Sequence, residues 1–195
     1  MAAGRTRLFV KTYDYPGWRD RTGNWGKWTA PWRRSRAARE CAAFRWLARH
    51  GFPTPGEYAC FEWRTLGFVR RASLVTTAVA GTPADRWLAA ADEPERRRLA
   101  ARIGRFVRDL HERGFRDRNL DLRNLIVDGD RITKIDSPRH RVVAVGNPDD
   151  ARAEADWQRL LPQFDADLRA LVRPPARRDE RADEAGGEGA VDRED

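Results

Sequence analysis

Five polar side chains between residues 117 and 136 have the types and spacing to work on a phosphate: Asp117, Asn119, Asp121, Asn124 and Asp136. The first four lie in a charged stretch, Arg116 to Asn124, that follows an apolar-periodic run ending at Arg113-Gly114. Leu125-Ile126-Val127, the turn Asp128-Gly129-Asp130 and Ile132-Thr133-Lys134-Ile135 read as a short hairpin, and Asp136 closes it. Phosphoryl transfer needs a carboxylate near the acceptor hydroxyl, together with an Asn and an Asp that hold Mg²⁺ on the phosphates. A short hairpin fixes the separation of Asn124 and Asp136, the two candidate metal ligands.

A second pair lies upstream. Glu40 shares a helical stripe with Phe44 and Leu47, at i, i+4 and i+7, so its carboxylate points toward apolar packing. A carboxylate there is costly unless a cation meets it. Lys11, flanked by Val10 and Tyr13 on a strand-like segment, is the candidate cation. A strand lysine held by a helix glutamate is one way to present an ammonium to nucleotide phosphates.

These residues need elements to carry them. Arg7 to Tyr13 reads as a strand, and Ser35 caps a helix that runs to about His50 before Gly51 and Pro53 stop it. Strands are expected near Glu57 to Trp63 and Gly67 to Val79. Leu99, Ile103, Phe106, Val107 and Leu110 mark a helix that ends near Gly114, and one further helix is expected from about Asp149 to Val172. The order is α+β, in two unequal lobes joined near Ala78 to Gly81: residues 1–80, then 81–175. Residues 176–195, charged and nearly free of large apolar side chains, are expected to be disordered.

The 195 residues suit one domain with a sizeable core, and 41% hydrophobic against 35% charged residues gives a heavily charged surface. No stretch approaches the roughly 20 apolar residues that span a bilayer, and Met1 to Arg5 has no apolar signal core, so a cytoplasmic location is expected. Cys41 and Cys60 sit among apolar neighbours and read as small buried side chains; no disulfide or zinc site is expected. The net charge is +8, although residues 176–195 hold eight acids against four arginines, so the remainder is more basic still and favours anionic partners. Residues 14–34 form a Gly- and Pro-punctuated connection with Trp18, Trp25, Trp28 and Trp32 among arginines; Trp25, Trp28 and Trp32 fall on one helical face. The rings suit a membrane interface or a glycolipid, or else they pack the small lobe.

From about Phe9 to Arg141 the chain resembles the bacterial lipopolysaccharide kinases that phosphorylate heptose or Kdo in the inner core. The resemblance is carried by Val10-Lys11-Thr12-Tyr13, Ser35 to Leu47, Gly51 to Pro55, Leu74 to Thr77 with Gly81, Leu110-His111 through Gly114-Phe115, Leu120 to Val127, and Ile135-Asp136. It implies a protein-kinase-like two-lobed fold, with a small N-terminal lobe of a sheet plus one helix and a mainly helical C-terminal lobe. It also implies ATP and Mg²⁺ as cofactors and a lipopolysaccharide core or other anionic glycolipid as acceptor, reached from the inner face of the cytoplasmic membrane by peripheral contact. Lys11 then resembles the phosphate-binding lysine, Glu40 its ion-pair partner, and Asn124 and Asp136 the metal-holding residues.

The chain departs from that pattern in two places. The family's catalytic Asp precedes the Asn by five residues, where this sequence has Asn119. An amide orients a hydroxyl but takes no proton, so Asp121 or Asp117 is a candidate to supply the carboxylate from a shifted position. The glycine-rich hairpin that precedes the lysine strand in such folds is absent or shortened, which reads as N-terminal truncation. The alternative functions are a pseudokinase that binds or scaffolds without turnover and, ranked last, a basic nucleic-acid-binding protein.

Overall fold

The computed structural model describes residues 7–56, 58–145 and 150–173. The starts expected at Glu57 and Asp149, and the disorder expected of residues 176–195, lie outside them.

Strand β1 (Leu8–Asp14) lies antiparallel to β3 (Phe68–Thr77), which pairs on its other side with β2 (Tyr58–Thr65), giving the sheet order β1-β3-β2. The register sets Lys11 opposite Leu74 and Tyr13 opposite Ala72. Because side chains alternate along a strand, Lys11 and Tyr13 face the same side, toward helix α2 (Arg36–Arg49). Ser35 caps α2 by accepting the Ala38 N–H at 3.2 Å, so the helix starts where the sequence places it. Ala37, Cys41, Phe44 and Leu47 of α2 are buried against the sheet, whereas Cys60 is half-buried.

The segment expected as a bare connection holds a short helix, α1 (Trp18–Gly23), and a π-helical turn, Trp25–Thr29. The shared face expected for its tryptophans does not form. Trp28 is only 9% exposed, beneath the guanidiniums of Arg36 and Arg39, while Trp32 lies beyond the turn and is 92% exposed.

After β3 the chain passes through Gly81 into β4 (Thr82–Pro83), which pairs with β6 (Leu125–Asp128) of the hairpin β6–β7 (Arg131–Lys134). Gly81 has φ +110°, and a Cβ there would stand 2.3 Å from the carbonyl oxygen of Val127, so only glycine fits this crossing. Helix α3 (Ala84–Ala90) precedes α4 (Glu93–Glu112), which Asp92 caps by accepting the Glu95 N–H at 2.9 Å. Leu99, Ile103 and Val107 of α4 form the larger core with Leu120, Leu125, Trp157 and Leu168.

The single last helix expected from the periodicity is two helices, α5 (Ala151–Leu160) and α6 (Ala166–Val172). Pro162 lacks an N–H, the chain tightens into a 3₁₀ turn over Leu161–Gln163, and Phe164 is extended. The break lets α6 fold back onto α4 at Gly104. Two small strands, β5 (Phe115–Asp117) and β8 (His140–Val142), pair beside the hairpin. The core under the first sheet runs on into Leu110 and Phe115, so apolar packing crosses from α2 to the helical part without a gap. Among the described residues no helix is long and apolar enough to cross a membrane.

Candidate active site

Between the sheet and the β6–β7 hairpin lies a cavity of about 230 Å³. Its walls are mostly apolar, from Phe9, Leu74, Val79, Ile126 and Ile135, and Lys11, Glu40 and Asp136 line its polar end. Three separate elements therefore bring these three residues together: β1, α2, and the segment that follows β7.

Lys11 Nζ lies 3.3 Å from Glu40 Oε1 and is also paired with Asp136. The Tyr13 hydroxyl donates to Glu40 Oε1 at 2.6 Å. Burial raises the Glu40 carboxyl above its ordinary range, a push that Lys11 and Tyr13 only partly offset. Burial also raises Asp136, but the hydrogen bond and charge of Lys11, with the charge of Arg36, outweigh it and hold this carboxyl below the usual range. The Tyr13 hydroxyl is raised by burial and then by the neighbouring Glu40 charge. Asp136 therefore stays ionised at neutral pH.

Asp136 has φ +56°, in the left-handed region that a non-glycine residue rarely adopts. Strain of this kind, of order 1–3 kcal/mol, collects at functional sites. Asn119 holds it there, donating from Nδ2 to the Asp136 carbonyl at 2.8 Å and to its Oδ2 at 2.7 Å. Asn124 Nδ2 donates in turn to the Asn119 carbonyl at 3.1 Å, and the Asn124 carbonyl accepts the Ile135 N–H at 2.9 Å. Asn119, Asn124 and Asp136 thus form one connected group.

The other two candidate carboxylates lie elsewhere. Asp117 is buried: its Oδ2 accepts the Ser137 hydroxyl at 2.8 Å and faces Lys134 Nζ at 2.9 Å, while its Oδ1 accepts the Asn119 N–H at 3.0 Å. Its own N–H donates to Asp156, which meets His111 at 3.2 Å. Asp117 so fixes the residues on either side of Asp136 from behind. Asp121 is held by Arg123 at 2.9 Å and lines a different depression, with Asp85, Leu88 and Gln163.

Arg36, Lys134 and Ser137 were missed as site residues in the sequence. Arg36 Nη2 is 3.7 Å from Asp136 Oδ1, its Nε is 3.8 Å from Glu40 Oε1, and its guanidinium lies over the Tyr13 ring at 4.8 Å. Its i−4 spacing from Glu40 was a legible signal. Lys134, the last residue of β7 and two residues before Asp136, was another.

A strand lysine on a helix glutamate, opposite an aspartate that ends a hairpin, defines a protein-kinase-like fold. The profile of the Lipopolysaccharide kinase (Kdo/WaaP) family matches residues 21–143, and the chain belongs to that family. Glu40, Asn119, Asn124 and Asp136 fall within the match, while Lys11 precedes it. Among solved structures, WaaP in complex with acyl carrier protein is similar at 18% identity and TM-score 0.54, over 70% of this chain and 64% of that chain. At that identity the likeness concerns the fold, and it spans 64% of that chain's length. The Legionella pneumophila LegK7 effector kinase matches at 9% identity and TM-score 0.38, over 72% of this chain and 29% of that chain. No curated protein matches the chain.

The donor set fits a nucleotide-bound Mg²⁺. Asp136 offers carboxylate oxygens, and Asn124 uses Nδ2 internally, which leaves its amide oxygen as a candidate ligand. Among the described residues no group of three or more His, Cys, Asp or Glu stands as a metal cluster. Two protein oxygens match an ion that keeps waters and is otherwise held by phosphates.

Proposed function

We propose that the chain binds Mg–ATP in the cleft and transfers a phosphoryl group to a sugar hydroxyl of a lipopolysaccharide core or related anionic glycolipid. The observation that carries this reading is the meeting of Lys11, Glu40 and Asp136 at the polar end of an apolar slot. The apolar walls take the flat base. Lys11, oriented by Glu40, holds phosphate oxygens as a point charge, and Tyr13 keeps Glu40 turned toward Lys11. Asp136 and Asn124 would hold Mg²⁺, which neutralises charge on the phosphates when bound. Asn119 orients the acceptor hydroxyl but accepts no proton, so transfer rests on positioning and electrostatics, which supply most of the acceleration in this chemistry.

One observation favours a second reading, nucleotide binding without turnover. The Asn119 amide is already directed at Asp136 through two contacts. Incubation of the native chain and of Asn119→Asp with Mg–ATP and a dephosphorylated core oligosaccharide separates the two. Phosphate transfer by the native chain supports the kinase. Nucleotide binding without transfer, with activity appearing only in Asn119→Asp, supports the binding module.

A further inference from the structure

The tip of the β2–β3 hairpin gathers exposed aromatic rings from segments far apart in sequence. Trp18 and Trp25, both about half exposed, set their rings 5.3 Å and 4.8 Å from that of Phe68, the first residue of β3. Arg64 donates to the carbonyls of Pro31, Arg33 and Gly67 at 2.8–3.0 Å, which straps Trp32 to the same tip. Beside it Leu66 is 81% exposed in the turn. Packing of the small lobe buries Trp28, whereas Trp18, Trp25, Trp32 and Leu66 leave an exposed apolar patch at the tip.

The charge around them is mostly positive. Arg33 and Arg34 follow Trp32 directly, and their charges, like that of Arg141, act on Arg39 of α2. Burial, then the like charges of Arg141, Arg33 and Arg34, holds the Arg39 guanidinium below its usual value. Trp63, Arg64, Arg70 and Arg71, together with Asp14, line a depression of about 380 Å³ at the same hairpin. The acids nearby are engaged: Asp14 pairs with Arg71, Glu62 with Arg64 and the Ser35 N–H, and Asp20 accepts the Gly17 N–H.

We propose that this aromatic and basic tip is a docking surface for an anionic lipid bilayer. Indole rings settle at the headgroup level with an apolar body and a polar edge, and arginines pair with lipid phosphates. A second copy of the chain is disfavoured, because a self-complementary contact would set these arginines against each other. Nucleic acid would use the arginines and the rings but gains nothing from an exposed leucine. Docking by the tip holds the small lobe against the membrane. It is independent of turnover, so its test stands apart from that of the nucleotide site.

The test is sedimentation of the full chain with phosphatidylcholine vesicles, with and without phosphatidylglycerol, while tryptophan emission is followed. The expected result is binding only to the anionic vesicles, with a blue shift. Trp32→Ser, Leu66→Asn and Arg34→Glu should each lower partitioning about tenfold and leave Mg–ATP thermal stabilisation unchanged. Asn tolerates the φ of +49° at residue 66, and residue 32 is at the surface, so neither variant endangers the fold. Equal binding to both vesicle types, or variants that bind like the native chain, overturns the proposal. So does self-association abolished by Trp32→Ser, or oligonucleotide binding that survives Leu66→Asn while vesicle binding is absent.

Discussion

Asn119 and Asp136 sit close enough that a carboxylate at position 119 would face another at about the distance their hydrogen bond now spans, 2.7 Å. Two like charges there repel unless a cation lies between them. Asn119→Asp should therefore melt below the native chain without divalent ions and regain more than the native chain does when Mg–ATP is added; calorimetry in both conditions reads this. Asp136 also sets a pH dependence. Its carboxyl is depressed in the folded state, so its contribution is complete above the ordinary aspartate value and is lost as pH falls through the depressed one. Acid melts of the native chain should show this loss, and Asp136→Asn, which also tolerates the positive φ, should lack it. Asp117 and Lys134 form a buried ion pair, and removing one partner leaves a charge uncompensated. Asp117→Asn should cost about 3–5 kcal/mol in denaturant unfolding, since Lys134 stays buried without its counter-charge while the amide oxygen still accepts the Asn119 N–H. The pairing of Lys11 with Glu40 was legible because a carboxylate on an apolar helix stripe needs a cation. The closeness of Asn124 to Asp136 in the fold was suggested by the polar loop ending at Asn124 and the hairpin between them. The inward turn of Asp117 was not, since a loop residue's direction depends on Lys134 and Ser137, partners that only the folded hairpin supplies.

At the scale of elements, α4 and α6 meet at Gly104, where an added Cβ would stand 2.0 Å from the Val172 carbonyl oxygen. Backbone cannot yield as a flexible side chain can. Gly104→Ala should destabilise by about 1–3 kcal/mol or more, through overpacking rather than helix propensity. An exposed control such as Ala90→Gly at the end of α3 should change stability much less. The starts of α2 and α4 could be read in the sequence because Ser35 and Asp92 cap them locally. The break between α5 and α6 was obscured because Trp157, Leu160, Phe164, Leu168 and Val172 continue a helical spacing through it. Pro162 overrides that periodicity by removing a backbone donor. The small strands β5 and β8 gave no signal, since three residues are too few to display alternation.

Across the whole molecule the two cores are joined. Trp46 of α2 lies 5.0 Å from Phe115 of β5, and Phe52 lies 5.7 Å from Phe106 of α4, ring to ring. Calorimetry of the native chain should thus show one transition whose calorimetric and van't Hoff enthalpies agree; two resolved transitions would show lobes that unfold separately. The α+β order and the crossing at Gly81 were legible because glycines, caps and apolar periods punctuate the chain at each change of element. The continuity of packing from α2 into Leu110 and Phe115 was not, since long-range contacts leave no local pattern. Lys11 and Asp136 are proposed as parts of a working Mg–nucleotide site. The most direct test is the shift in melting temperature on adding Mg–ATP to the native chain, to Lys11→Ala and to Asp136→Ala. Mg–ATP should stabilise the native chain, and both variants should lose that stabilisation while remaining folded. A native chain that Mg–ATP does not stabilise, or variants stabilised as much as the native chain, would contradict that assignment.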